Sequence, residues 1–161
     1  MTTLQAALKT SILALRKIAT ERTDPALKKL LCSIPGIGII LSDAFIAEIG
    51  DVKRFPNDAA LVAFAGLDPK VKQSGTMTAK HLRLTKRGSP ALRTSAFLAA
   101  SIAQRHDPDL KAYYLKKRKE GRQYREATVA NARHILSRVY AVWKRGTPYV
   151  PRALKSGLLD S

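Results

Sequence analysis

The residues of this chain best suited to chemistry gather between Val71 and Arg87. Val71-Lys72-Gln73-Ser74-Gly75 presents a small hydroxyl backed by glycine, and Lys80, His81, Arg83, Lys86 and Arg87 follow it. A serine hydroxyl becomes a nucleophile once a base or a metal-bound hydroxide takes its proton. Glycine after it lets the backbone bend and leaves the oxygen accessible. Cations beside it would stabilise charge on a transferring phosphoryl group. Ser-Gly is also a common turn pair, so the same residues read as a solvated turn in a basic loop, and the stretch alone does not decide.

The flanking sequence is rich in helix signals. Residues 2–20 read as a helix in which Leu4, Leu8, Leu15 and Ile18 fall near a heptad seam that Ser11 breaks. It is either packed on the domain or the end of a longer coiled coil. Thr23-Asp24-Pro25 starts a second helix, with an oxygen cap and proline at its first position. That helix ends before Ile34-Pro35-Gly36-Ile37-Gly38, after which another runs through Leu41, Phe45 and Ile49 to Gly50. This pattern resembles a helix-hairpin-helix motif. Gly36 and Gly38 would let the backbone turn and approach a phosphate, and Ile34 and Ile37 would pin the turn to the core. Gly36, Ile37 and Gly38 are therefore candidate phosphate contacts, with a plain scaffold turn as the other reading. Backbone amides would read phosphate and not base sequence.

Asp51–Pro56 reads as a connector. Asn57 or Asp58 caps a short helix that Gly66 ends, and residues 70–84 alternate as a loop or short two-stranded ribbon. Ser89-Pro90 opens a helix with a small-residue face, Leu92, Ala96, Ala99 and Ala103, and with Arg93 on its first turn. Asp107-Pro108 opens the next, which ends in Lys116, Lys117, Arg118 and Lys119 with Tyr113, Tyr114 and Tyr124 interleaved. That run is a solvated helix end or a nucleic-acid track. A final helix runs from about Arg125 to Arg145 with an apolar stripe that includes Trp143. The expected fold is mainly α: a helix over 1–20, a helical domain over 21–146 and a loose tail over 147–161.

Lysine and arginine number 29 against 12 acids, a formal net charge of +17. Such an excess calls for a polyanionic partner, nucleic acid first and an anionic membrane surface second. No apolar run approaches membrane-spanning length, and the N-terminus lacks a signal-peptide pattern. Cys32 is the only cysteine, which excludes an internal disulfide and a cysteine metal cage; its apolar neighbours make it a core filler. His81, His106 and His134 have no metal-ligand spacing, and no glycine-rich nucleotide loop appears.

The ordered set Ile34-Pro-Gly-Ile-Gly38, Ala47-Glu-Ile-Gly50, Arg54-Phe55, Ala63-Phe-Ala-Gly-Leu67, Pro69, Gln73-Ser-Gly75 and Lys86-Arg-Gly-Ser-Pro-Ala-Leu-Arg93 resembles the C-terminal domain of transposases of the insertion-sequence 110 and 1111 groups, the DEDD or Piv-like transposases. The resemblance covers roughly residues 28–145. It implies DNA recombination, with Ser74 as the nucleophile that forms a phosphoserine link to DNA. It also implies a structured non-coding guide RNA, homo-oligomerisation of the full-length protein, and a prokaryotic, cytoplasmic, nucleoid-associated setting. Full-length members join this domain through a coiled-coil segment to a RuvC-like domain whose acidic tetrad binds a divalent metal such as magnesium. That domain is expected to be missing here, so no cofactor is expected in this chain and the isolated fragment is expected to be inactive. Asp43, Glu48, Asp51, Asp58 and Asp68 do not stand in for the tetrad. Lys72, Lys80, Arg83, Lys86, Arg87 and Arg93 are the expected phosphate contacts around the serine, and Lys116, Lys117 and Arg118 extend them. The arginines are favoured as clamps because the guanidinium fork matches phosphate oxygens.

Two other readings compete. One is a non-catalytic helix-hairpin-helix module that binds DNA or RNA, with Ser74 only a turn residue. The other is a structural RNA-binding protein of ribosomal type, which the charge permits.

Overall fold

The computed structural model describes residues 24–68 and 87–151. The helix expected over 1–20, the loop or ribbon expected over 70–84 and the tail beyond residue 151 lie outside the described residues.

Among the described residues the chain is helical, with no strand. Helix α1 spans Pro25–Cys32, and the Asp24 carboxylate accepts from the Ala26 amide at 2.9 Å. Proline at the first position costs nothing there, because that amide would have no intrahelical acceptor. Helix α2 spans Ile39–Ile49. It has Gly38 at its N-cap, and Gly50 closes it at a φ of 68°. The connector after it contains a 3-10 turn, Val52–Arg54, capped by Asp51. Helix α3, Asp58–Phe64, is capped by Asn57, whose side chain accepts from the Ala60 amide at 2.9 Å. Helix α4, Pro90–His106, starts on Ser89, and α5, Pro108–Lys119, starts on Asp107. Helix α6, Tyr124–Arg145, has Glu126 reaching back to the Gln123 amide at 3.3 Å and ends on Gly146 in the left-handed region.

The core forms where α4 and α6 pack together, the most extensive helix–helix contact of the fold. Helix α4 contributes Leu92, Ala96, Ala99, Ala100 and Ala103, and α6 contributes Ala132, Ile135, Leu136 and Val139, all fully buried. Helix α2 lies against α4, α3 against α6, and α5 spans both long helices. Leu31, Ile34, Phe45, Ile49, Leu61 and Leu67 complete one cluster. A buried leucine or isoleucine contributes roughly 1.5–3 kcal/mol, so this cluster is the main source of stability. The small-residue face of α4 lets a neighbour come close. That neighbour includes the α1–α2 turn, whose Gly36 sits on the α4 backbone.

Helices α2 and α4 run antiparallel. Glu48, near the end of α2, hydrogen-bonds Ser89 ahead of α4, whereas Gly36, ahead of α2, lies against Ala99 and Ala103 late in α4. Trp143 is half-buried against the core. Cys32 is half-buried, its thiol 3.7 Å from the Ser42 hydroxyl. The chain after α6 is docked at Tyr149, within the segment read as a loose tail. Its amide donates to the Ser33 hydroxyl at 2.8 Å, and its hydroxyl donates to Asp107 at 3.1 Å. No helix of the described residues is long and apolar enough to cross a membrane.

Candidate functional site

A helix end leaves its last carbonyls without intrahelical donors. At the end of α3 the carbonyls of Leu61, Val62 and Ala63 accept from the amides of Ala65, Leu67 and Gly66, and tertiary groups take the carbonyl of Phe64 and two that follow the helix. The Ser89 amide donates to Phe64 O at 2.9 Å, the Arg93 guanidinium to Ala65 O at 3.1 Å, and Arg133 Nε of α6 to Leu67 O at 2.7 Å. Residues 64–68 lead into the segment that carries Ser74, and residues 87–89 lead out of it. The two ends of that segment are thus tied to one place on the core.

The sequence builds this base with specific residue types. Gly66 turns the chain at a φ of 68°. Gly88 has a φ of +123°, and a Cβ on it would lie 2.0 Å from Phe64 O. Only glycine fits there, on both dihedral and steric grounds. Ser89 has three roles: its amide holds Phe64, its hydroxyl accepts from the Leu92 amide at 3.0 Å, and the same hydroxyl donates to Glu48 at 2.6 Å. Arg54 stacks over Phe55 and Phe64, 4.9 and 4.8 Å from their ring centroids. Burial pulls the Arg133 guanidinium below the usual arginine range, and the charges of Tyr113 and Asp68 partly offset this.

Ser74, Lys72, Lys80, Arg83 and Lys86, and with them His81, lie outside the described residues. Arg87 is exposed at the exit of the segment. Arg93 is half-buried and already gives a hydrogen bond to the base, so its first role is to hold the fold. Sequence reasoning missed Arg133 and Glu48 as parts of this base. Glu48 lay inside a quoted motif, but no local pattern joins it to Ser89, and Arg133 sat on a helix face like any other cation.

At the α1–α2 turn the three expected contacts separate. A Cβ on Gly36, at a φ of +90°, would lie 2.3 Å from Ala99 O and 2.9 Å from Ala103. Close packing on α4 therefore requires glycine at position 36. Ile37 is buried, and its amide donates to Ile34 O at 3.0 Å. Gly38 is exposed, with open space where a Cβ would be. It precedes an α2 terminus that has no side-chain cap and no acidic residue in its first turn.

The basic end of α5 is partly occupied with its own closure. Lys117 pairs with Glu120 at 2.8 Å, and Arg118 donates to Arg122 O at 3.0 Å. Lys116 and Lys119 are exposed. The tyrosines are engaged with other rings, Tyr113 edge-on to His134 and Tyr114 to Tyr124.

On another face, Asp107 is only 2% exposed. It caps α5, pairs with Arg138 at 2.7 Å and accepts from Tyr149. Burial pushes its carboxyl up, but the hydrogen bonds and charge of Arg138 and the Leu110 amide outweigh this and hold it below the ordinary carboxylate range. Burial and the neighbouring Asp107 push the Tyr149 phenol up to about 12, against the pull of Arg138.

Among the described residues no group of three or more histidine, cysteine or acidic side chains could hold a metal ion. Glu48 is held by Ser89, Asp107 by Arg138 and Asp43 by Lys28. The described residues therefore do not fit a magnesium site.

Residues 28–115 match the model of the transposase IS116/IS110/IS902 family. The chain is similar to the 43.6 kDa protein of insertion element IS110 of Streptomyces coelicolor, 32% identical over 127 residues that make up 78% of this chain and 31% of that protein. It is similar to the transposase for insertion sequence element IS1111A of Coxiella burnetii, 33% identical over 73% of this chain and 33% of that protein. It is also similar to the pilin gene-inverting protein of Moraxella bovis, 29% identical over 76% of this chain and 38% of that protein. The chain spans about a third of the length of these relatives.

Proposed function

The chain belongs to the transposase IS116/IS110/IS902 family, and we propose that it supplies the serine nucleophile and a nucleic-acid-binding surface to a DNA recombinase. The observation that carries this reading is the base at the end of α3. It ties both ends of the Ser74 segment to a rigid core, which a nucleophile needs more than a solvated turn does.

In the proposed reaction Ser74 Oγ attacks a scissile DNA phosphorus. An Oγ–P bond forms, and the bond from phosphorus to one deoxyribose oxygen breaks. The serine proton passes to a base, and the departing oxygen takes a proton. A hydroxyl of a second strand then attacks the phosphoserine, which restores the serine and joins the strands. Each step exchanges one phosphodiester for another, so no external energy source is required. Arg87 and the lysines and arginines of the segment bind the phosphates, with Gly38 and the first-turn amides of α2 as a further contact. Lys116, Lys117 and Arg118 extend the track.

The complete transposase brings a RuvC-like domain with its divalent metal, a structured guide RNA and a second subunit. The isolated chain binds nucleic acid without recombining it, in a prokaryotic cytoplasm. Trapping the covalent protein–DNA adduct of the complete transposase and mapping the modified residue tests the assignment; an adduct on a residue other than Ser74 refutes it.

A further inference from the structure

Large apolar side chains are exposed at one end of the α2–α4 pair. Ile39 and Ile40 open α2, each 67% exposed, and Leu98 and Ile102 of α4 are 47% and 45% exposed. Gly36, three residues ahead of Ile39, rests on Ala99 and Ala103, which places the first turn of α2 at the end of α4 that carries Leu98 and Ile102. The last turn of α4 adds Arg105 and His106, both exposed, three and four residues after Ile102 and hence on its side of the helix. Of the two acids of α2, Asp43 is paired with Lys28 at 2.6 Å, and Glu48 lies at the opposite end, on Ser89. Helix α4 carries no acid. An exposed apolar patch of this kind marks a surface that something covers. With Arg105 at its rim, in a chain of net charge +17, the patch suits stacked bases between phosphates better than a second copy of the chain.

We propose that Ile39 and Ile40 form an apolar wedge that enters the minor groove of duplex DNA and parts a base step. The proposal rests on the nucleic-acid-binding part of the reading above and names the form of DNA this end of the molecule takes, a duplex kinked at the point of contact. Phosphates rim a minor groove only about 6 Å wide. A phosphate held at the start of α2 therefore brings the first-turn side chains to the edge of the groove. Isoleucine is among the apolar residues that unstack base steps from that side. Its β-branched side chain is stiff, so little freedom is lost on insertion. Leu98 and Ile102 then cover the opened groove, and Arg105 reaches a phosphate beyond it. Parting a step is easiest where the pairing is already broken, so the wedge favours a mismatched duplex over an intact one.

The test compares binding of the full 161-residue chain to an intact duplex and to the same duplex with two adjacent mismatches, each labelled at both ends for energy transfer. The wild type is expected to bind the mismatched duplex at least about tenfold more tightly, and to bring the ends of the intact one closer together. An Ile39→Ala, Ile40→Ala variant should bind the two duplexes alike and leave the intact one straight. Its salt dependence should match the wild type, because no cation is lost. Alanine keeps the helix and both side chains are exposed, so circular dichroism should not change. Val150→Ala, at an exposed apolar residue after α6, should behave as wild type. Equal affinity of the wild type for the two duplexes, or an intact duplex that stays straight, overturns the wedge and leaves the nucleic-acid reading in place. Failure to bind either duplex overturns both. A mismatch preference that survives in the double variant overturns the wedge as well. So does a wild-type dimer, seen by sedimentation without DNA, that the double variant abolishes, since it assigns the patch to a second copy.

Discussion

The Ser89 amide donates to the Phe64 carbonyl at 2.9 Å, and this bond closes the excursion that carries Ser74. Gly88 makes the approach possible, since a Cβ there would lie 2.0 Å from Phe64 O. Gly88→Ala must therefore break the bond or shift α4. A loss on the order of 3 kcal/mol is expected from the strained dihedral and the clash together. Chemical denaturation of the isolated chain measures it.

Arg133 holds the other end through Leu67 O at 2.7 Å. Arg133→Met should leave that half-buried carbonyl without its donor, at about 2 kcal/mol. Arg133→Lys should recover only part, because an ammonium does not reproduce the Nε geometry. Thermal unfolding of the two variants side by side gives the ordering.

The glycines of the α1–α2 turn should respond differently. Gly36→Ala meets Ala99 O at 2.3 Å and is expected to destabilise by roughly 3 kcal/mol. A loss of nucleic-acid binding in that variant would therefore report unfolding. Gly38 has open space around it, and Gly38→Ala should cost about 1 kcal/mol as a poorer N-cap. If the amides there contact phosphate, this variant binds more weakly with its circular dichroism unchanged.

Asp107 ties stability to acid. Its folded-state carboxyl is held below the ordinary value of 3.8. A depressed carboxylate contributes stability above its unfolded pKa and loses it as pH falls through the folded value. Melting temperature should therefore drop below about pH 4, and Asp107→Asn should remove part of that drop. Arg138→Met leaves a buried charge without its partner and should cost about 3 kcal/mol near neutral pH. Tyr149, with its phenol near 12, stays protonated throughout this range.

Binding of duplex DNA by the isolated chain should weaken steeply with salt, by about 0.9 log units per log unit of salt for each phosphate neutralised. Lys116→Ala and Lys119→Ala should each reduce that slope by about one contact if α5 is part of the track. A slope unchanged in both variants removes α5 from the interface.

Much of the fold was legible because local signals set it. Asp24, Ser89 and Asp107, each followed by proline, cap the helices they were expected to cap. The start of α6 was read a residue late, because Gln123 is a weaker cap signal than serine or aspartate. The sequence does not tell that Ile39 and Ile40 face outward. The base at the end of α3 was not legible. Its bonds join Glu48 to Ser89 and Leu67 to Arg133, pairs that only tertiary packing brings together. The packing of Gly36 on α4 was not legible for the same reason, since glycine permits close approach without saying to what.

The central claim is that Ser74 carries the covalent link to DNA. The most direct measurement is adduct formation by the complete transposase on suicide DNA substrates, wild type against Ser74→Ala, with DNA binding measured in parallel. The expected result is no adduct and no strand exchange in Ser74→Ala, with binding affinity nearly unchanged and stability within about half a kcal/mol of wild type. Ser89→Ala, which loses a cap and the Glu48 bond, should lower stability by about 1–2 kcal/mol yet still form the adduct. Wild-type levels of adduct in the Ser74→Ala enzyme would contradict the account and return Ser74 to an ordinary turn.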